Sequence, residues 1–195
     1  MRVYKFYDWD SMTDEDVEQS YEEYCDMIQT CCACCETVSF LINNSYSTLV
    51  RRLEKYRIAP PENIDLFPAK RYGTECDIRY YRICDEIKEI LLQSATSMYQ
   101  WLVGWGFCNP EDPAFYRKDG SVFLETIIHE GEITILHKEE DGDISHIVSC
   151  PHWMKAVDRR QFMLNIPPGC EIVIPDDFDG EIPIVLPEFS FLPES

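Results

Sequence analysis

From Asp14 to Ile42, apolar side chains recur at intervals of three and four residues. On a helical projection Val17, Tyr21, Tyr24, Ile28, Val38 and Ile42 fall within about 100° of arc, and Glu15, Glu18, Glu22, Asp26 and Glu36 occupy the opposite half. The pattern predicts one amphipathic helix, about 43 Å long at ~1.5 Å per residue. Thr13, with Asp16 three residues on, supplies its start: a hydroxyl caps orphan backbone donors, and acidic side chains meet the positive end of the dipole. Asn43-Asn44-Ser45 stops it, and "YSTLVRRLEKY" forms a shorter helix. Between Arg57 and Gly73 three prolines fall within nine residues, so this stretch reads as a connecting loop. Thr74 with Asp77 then looks like a second cap. Tyr80, Cys84, Ile87, Leu91, Met98, Leu102 and Trp105 follow at helical spacing, which predicts a second long helix.

Beyond residue 107 the period shifts from about 3.6 to 2. "SVFLETIIH", "EITILHK" and "DISHIV" read as three strands, joined at Glu130-Gly131 and at Asp141-Gly142, where glycine tolerates the positive φ of a tight turn. Pairing 129 with 132 and 140 with 143 places Val122, Leu124, Ile128, Ile133, Ile135, Ile144 and Val148 on one face of an antiparallel meander. Six of the twelve prolines lie in the last 30 residues, so "CEIVIP" and "EIPIVLPEFSFLP" read as edge or extended segments. The expectation is an α+β fold in a single domain, 1–195. Two long N-terminal helices and a shorter one (1–107) would precede a C-terminal antiparallel β-meander (108–195) and cover its apolar face.

Composition supports a folded chain: 195 residues with 45% hydrophobic content can bury a real core. The opening "MRVYKFYDWD" lacks a basic region followed by an apolar run, and no apolar stretch reaches the roughly 20 residues of a membrane span. A reducing cytoplasm is therefore expected, with ten cysteines as thiols rather than a disulfide framework. Charge changes the picture more. The formal net charge is −19, and it is unevenly spread: residues 1–50 carry 10 acidic and 2 basic side chains, whereas residues 51–100 carry 8 and 9. Such a surface repels nucleic acid and anionic membranes and attracts basic proteins.

The densest chemical signal is Cys31, Cys32, Cys34 and Cys35 in five positions. Their overlapping CxxC spacings suit zinc or an iron–sulfur cluster, but a second CxxC is missing. On the projection Cys35 sits at the centre of the apolar arc, Cys31 within it, Cys32 at its margin and Cys34 to the side. Packing as neutral thiols is the better reading, and no cofactor is expected. The hairpin register sets His137 opposite His146, a metal or pH-sensing candidate without a third ligand. "HEGE" lacks the second histidine of a metalloprotease helix. Cys108 and the Cys150–His152 pair are the thiol nucleophile candidates, on weak grounds, because catalytic Cys and His generally come from distant segments. Nucleotide-binding loops, a nucleophile elbow and a basic aromatic patch are all absent from the sequence.

These observations name no catalytic residue. They suggest a non-enzymatic acidic binding protein, of the inhibitor or immunity type, that neutralises a basic protein partner through Glu15, Glu18, Glu22 and Asp26. A metal- or thiol-dependent protein using Cys31–Cys35, and an enzyme with a site between the helical and strand halves, are the alternatives.

Overall fold

The computed structural model describes residues 1–6, 9–10, 15–16, 19–43, 46–61, 63–64, 77–104, 107–108, 110–149 and 153–156. Met1–Ala156 forms one compact unit; Val157–Ser195 lies wholly outside the described residues, as do the proline-rich segments expected to form edges there.

The first helix, α1, spans Tyr21–Cys34. Its start is a capping box at Ser20, not the expected Thr13. The Ser20 hydroxyl accepts from the Glu23 amide at 3.2 Å, and the Glu23 carboxylate accepts from the Ser20 amide at 2.7 Å. Upstream, Trp9–Asp10 (β2) pairs with Glu15–Asp16 (β3), so Glu15 belongs to a small hairpin. Tyr24, Met27, Ile28 and Cys31 form the buried stripe of α1, while Tyr21, expected in that stripe, is exposed.

The helix ends at Cys34, and Cys35 is already extended, with φ −123° and ψ 153°. The following residues, Thr37–Leu41, form β4, in which every side chain is buried. Val38 matched the helical spacing by coincidence. Thr-Val-Ser-Phe-Leu is β-branched and aromatic, and strands pair with it on both sides, so the ladder overrides helical continuation.

The second long helix is corrected in the same way. Ile78–Arg82 forms β6, and α3 is confined to Asp85–Ser94, followed by a single 3₁₀ turn at Met98–Gln100. Adjacent Tyr80 and Tyr81 face opposite sides of the sheet, as period 2 requires. Trp105 lies outside the described residues. The short helix α2, Thr48–Leu53 with a Ser47 cap, agrees with the sequence.

Arg2–Phe6 (β1), Arg57–Ile58 (β5), Glu111–Tyr116 (β9), Val122–Ile127 (β10), Glu132–His137 (β11) and Trp153–Ala156 (β12) complete the main sheet. A separate two-strand pair joins Val103–Gly104 (β7) to Phe107–Cys108 (β8). Among the described residues the main sheet has eight strands, ordered β12-β1-β11-β10-β9-β4-β6-β5, with every neighbouring pair antiparallel. Among the described residues, strands from before and after residue 107 interleave in this one sheet.

The β10–β11 hairpin forms, with a shifted register. Ile127 pairs with Glu132 across a 3₁₀ turn, Ile128–Glu130, closed by Gly131 at φ 71°. The shift is an even number of positions, so Leu124, Ile133 and Ile135 still share one face. A bulge between Val122 and Leu124 turns Val122 to the other face. The expected third strand is instead a short helix, α4, at Ser145–Val148. The Asp143 carboxylate accepts from the Ser145 amide at 2.9 Å and its hydroxyl at 3.0 Å, a local turn that competes with extension. β1 takes the vacated place beside β11.

The helices α1 to α4 contribute to one core with Phe6, Val38, Phe40, Tyr81, Phe115, Leu124 and Ile133 from the sheet. At its centre the Tyr24 hydroxyl donates to the Leu91 carbonyl at 2.8 Å and accepts from the Trp101 indole at 3.2 Å, fixing α1 to α3. On the opposite face a smaller cluster joins Val3, Tyr80, Ala114, Tyr116, Val122 and Leu136 with Ile64.

Candidate functional site

The cysteines were the first chemical candidate; α1 places Cys31, Cys32 and Cys34 against the core, and Cys35 follows in extended backbone. Cys31 and Cys35 are 0% and 6% exposed, and Cys25, Cys32, Cys34 and Cys84 pack at the margin. All six are free thiols. Burial pushes Cys31 and Cys35 well up; it pushes Cys32 up to about 12, against the opposing pull of Lys88. Cys34 is raised too, mainly by burial. Thiols so shifted are protonated at neutral pH, whereas nucleophiles and metal ligands are thiolates. Among the described residues no group of three or more His, Cys, Asp and Glu is placed to hold a metal ion.

The two histidines expected to face each other do not, because residues 145–148 are helical. His137 Nε2 donates to the Gly142 carbonyl at 2.8 Å, and its ring lies edge-on to Tyr4. His146 Nε2 instead meets the Thr30 hydroxyl at 3.1 Å, joining α4 to α1. His129 of "HEGE" lies in the 3₁₀ turn, 3.9 Å from the Asp112 carboxylate, as far from a metalloprotease helix as the sequence suggested. Cys108 falls in β8, and Cys150 and His152 lie outside the described residues.

Of the four acidic side chains expected on one helical face, Glu22 and Asp26 are on α1, Glu15 is in β3, and Glu18 lies outside the described residues. The continuous carboxylate face expected over residues 15–36 is therefore not formed by one helix. Further exposed carboxylates stand at Glu86 and Glu89 on α3 and at Glu139 in the turn before α4. Glu22, Asp26, Glu89 and Glu139 make no ion pair with any described residue, whereas the Glu86 carboxyl is held below its ordinary value by its own backbone amide, by a hydrogen bond with Cys84 and by the Lys55 charge.

A buried ionic network that the sequence did not reveal supports that loop. Arg117 Nε and Nη2 donate to the two Asp141 carboxylate oxygens, each at 2.6 Å. Its remaining donors reach the Val122 carbonyl at 2.5 Å, the Ser121 hydroxyl at 3.3 Å and the Leu136 carbonyl. The guanidinium also lies over the Phe123 ring, 5.3 Å from its centroid. Asp141 accepts in addition from the Lys138 amide at 2.6 Å. Burial alone would raise the Asp141 carboxyl, but these hydrogen bonds and the guanidinium charge hold it below its ordinary value. In sequence both residues read as surface charges; only the approach of two turns 24 positions apart brings them together.

Beside this network a cleft of about 320 Å³ opens between β1, β11 and the loop before α4. Arg2, Tyr4, His137, Glu139, Asp143 and Ile144 line it. The β1–β11 register sets Arg2 directly opposite His137, and Tyr4 follows on the same face. Comparison of the chain with known protein families, curated proteins and solved structures finds no match. Among the described residues no helix is long and apolar enough to cross a membrane.

Proposed function

We propose that this is a non-enzymatic acidic binding protein, of the inhibitor or immunity type, which neutralises a basic protein partner in the cytoplasm. The observation that carries the reading is the formal net charge of −19, together with carboxylates at Glu22, Asp26, Glu89 and Glu139 that make no ion pair with a described residue. Their field accelerates encounter with a positive surface and disfavours nucleic acid and anionic membranes. Apolar or aromatic anchors near them would then supply most of the affinity.

A pull-down from native lysate with tagged protein, washed at low and high salt and read by mass spectrometry, tests the proposal. One basic protein retained at low salt and released at high salt supports it. The charge-neutral variant Glu22→Gln/Asp26→Asn/Glu86→Gln/Glu89→Gln should lose that protein. Retention by the variant equal to wild type rejects the proposed surface.

A further inference from the structure

The cleft beside His137 holds charge of both signs that the protein does not use internally. Arg2 is exposed at one wall and Glu139 at another, and neither makes an ion pair with a described residue. Asp143 adds a second carboxylate. Its two oxygens each accept one hydrogen bond from Ser145, which leaves acceptor capacity free. The carboxyl is held below its ordinary value, chiefly by the Ser145 amide and hydroxyl, so it is ionised at neutral pH.

His137 is 8% exposed, with Nε2 committed to the Gly142 carbonyl. In the neutral ring that bond leaves Nδ1 as an acceptor. Tyr4 contributes a ring wall, and Ile144 and Val148 add apolar lining. A few polar groups converging over an apolar lining is the usual composition of a small-molecule site, and about 320 Å³ lies at the lower end of the usual size range of ~300–1,000 Å³.

We infer that this cleft binds a small zwitterion of the α-amino-acid class. A purely anionic ligand would meet Glu139 and Asp143, and a purely cationic one would meet Arg2. A molecule carrying both charges satisfies each wall: its carboxylate lies toward Arg2, its ammonium toward Glu139 and Asp143, and its side chain against Ile144 and Val148. The arrangement shares only Glu139 with the acidic-partner surface; Arg2, Tyr4, His137 and Asp143 take no part in that surface.

The test is an NMR titration of the isotope-labelled full-length protein with each common L-amino acid in turn, up to about 10 mM, the range in which weak small-ligand binding is readable. Saturable shifts of Tyr4, His137 and Ile144 resonances are expected with at least one of them. The N-acetyl amide of the same amino acid, which lacks both charges, should produce none. Arg2→Ala and Glu139→Gln change exposed side chains, and each should weaken binding about tenfold or more, the scale of one charge-assisted contact. Unshifted resonances elsewhere confirm that the variants fold. The proposal is overturned if no amino acid moves those resonances, if the blocked amide binds equally well, or if Arg2→Ala and Glu139→Gln both keep the wild-type affinity. Loss of amino-acid binding with the basic partner still retained would isolate the failure to this cleft.

Discussion

Arg117 and Arg79 are both clasped by carboxylates, yet they sit in different physical regimes. Arg117 is 7% exposed and its partner Asp141 only 3%, with backbone carbonyls taking the remaining donors. Arg79 is 13% exposed, but its partners Asp77 and Glu54 are 46% and 34% exposed, so water competes for them. The lesson is that bond count does not rank them. Arg79 donates to Asp77 at 2.5–3.1 Å and to Glu54 at 2.6 Å, a contact list as good as that of Arg117. What separates them is the cost of being left alone. An abandoned Asp141 stays in a dry site, whereas an abandoned Asp77 rehydrates.

Replacing Arg117 by Leu should therefore have the largest effect, about 3–5 kcal/mol in urea unfolding. Pairing it with Asp141→Leu should recover a large part of that loss, since both charges then disappear together. A double variant no more stable than Arg117→Leu alone would contradict the explanation.

Gly120 belongs to the same turn network and comes next. It stands at φ +81°, and an added Cβ would lie 2.4 Å from the Asn63 carbonyl oxygen, which is backbone and cannot swing away. Gly120→Ala should cost about 1–3 kcal/mol. A drop in stability with an unchanged urea m-value would locate the effect in the folded state.

Asp141 also makes the buried pair pH-sensitive. Its folded pKa is depressed, so its stabilisation is fully present above the unfolded carboxyl value of about 3.9 and is lost as pH falls through the lower folded value. Stability should decline below about pH 4, and Asp141→Asn should flatten that part of the curve. An identical slope in wild type and Asp141→Asn would assign the acid sensitivity to other carboxylates.

The smallest effect is expected at the exposed member of the comparison. Arg79→Leu should cost no more than about 1 kcal/mol, and the difference from wild type should shrink in ~1 M salt, where the Debye length is about 3 Å. The Arg117→Leu deficit should persist in the same salt.

Legibility in the sequence followed the same division between local and distant causes. The β10–β11 face could be read directly, because alternation survives an even register shift: Leu124, Ile133 and Ile135 face the core as their spacing implies. The packing of Cys31 was readable for a similar reason, since a small apolar stripe on α1 is a local property, whereas Cys35 is buried from an extended residue just past the helix. The candidate cleft was half legible: His137 was singled out, but for a partner, His146, that faces Thr30. Arg2 and Glu139 gave no signal at all, because exposed charges look alike wherever they stand in a sequence.

By itself the sequence determined an α+β chain with a cysteine-bearing amphipathic helix, a hairpin of fixed inner face and a strongly negative surface. Those features depend on side-chain period and composition, which neighbouring residues set. Tertiary structure alone decided where helix gave way to strand. At Thr37–Leu41 and Ile78–Arg82, ladder hydrogen bonds between the two segments outweigh the helical spacing. Those bonds join residues roughly 40 positions apart, a distance that no local pattern records.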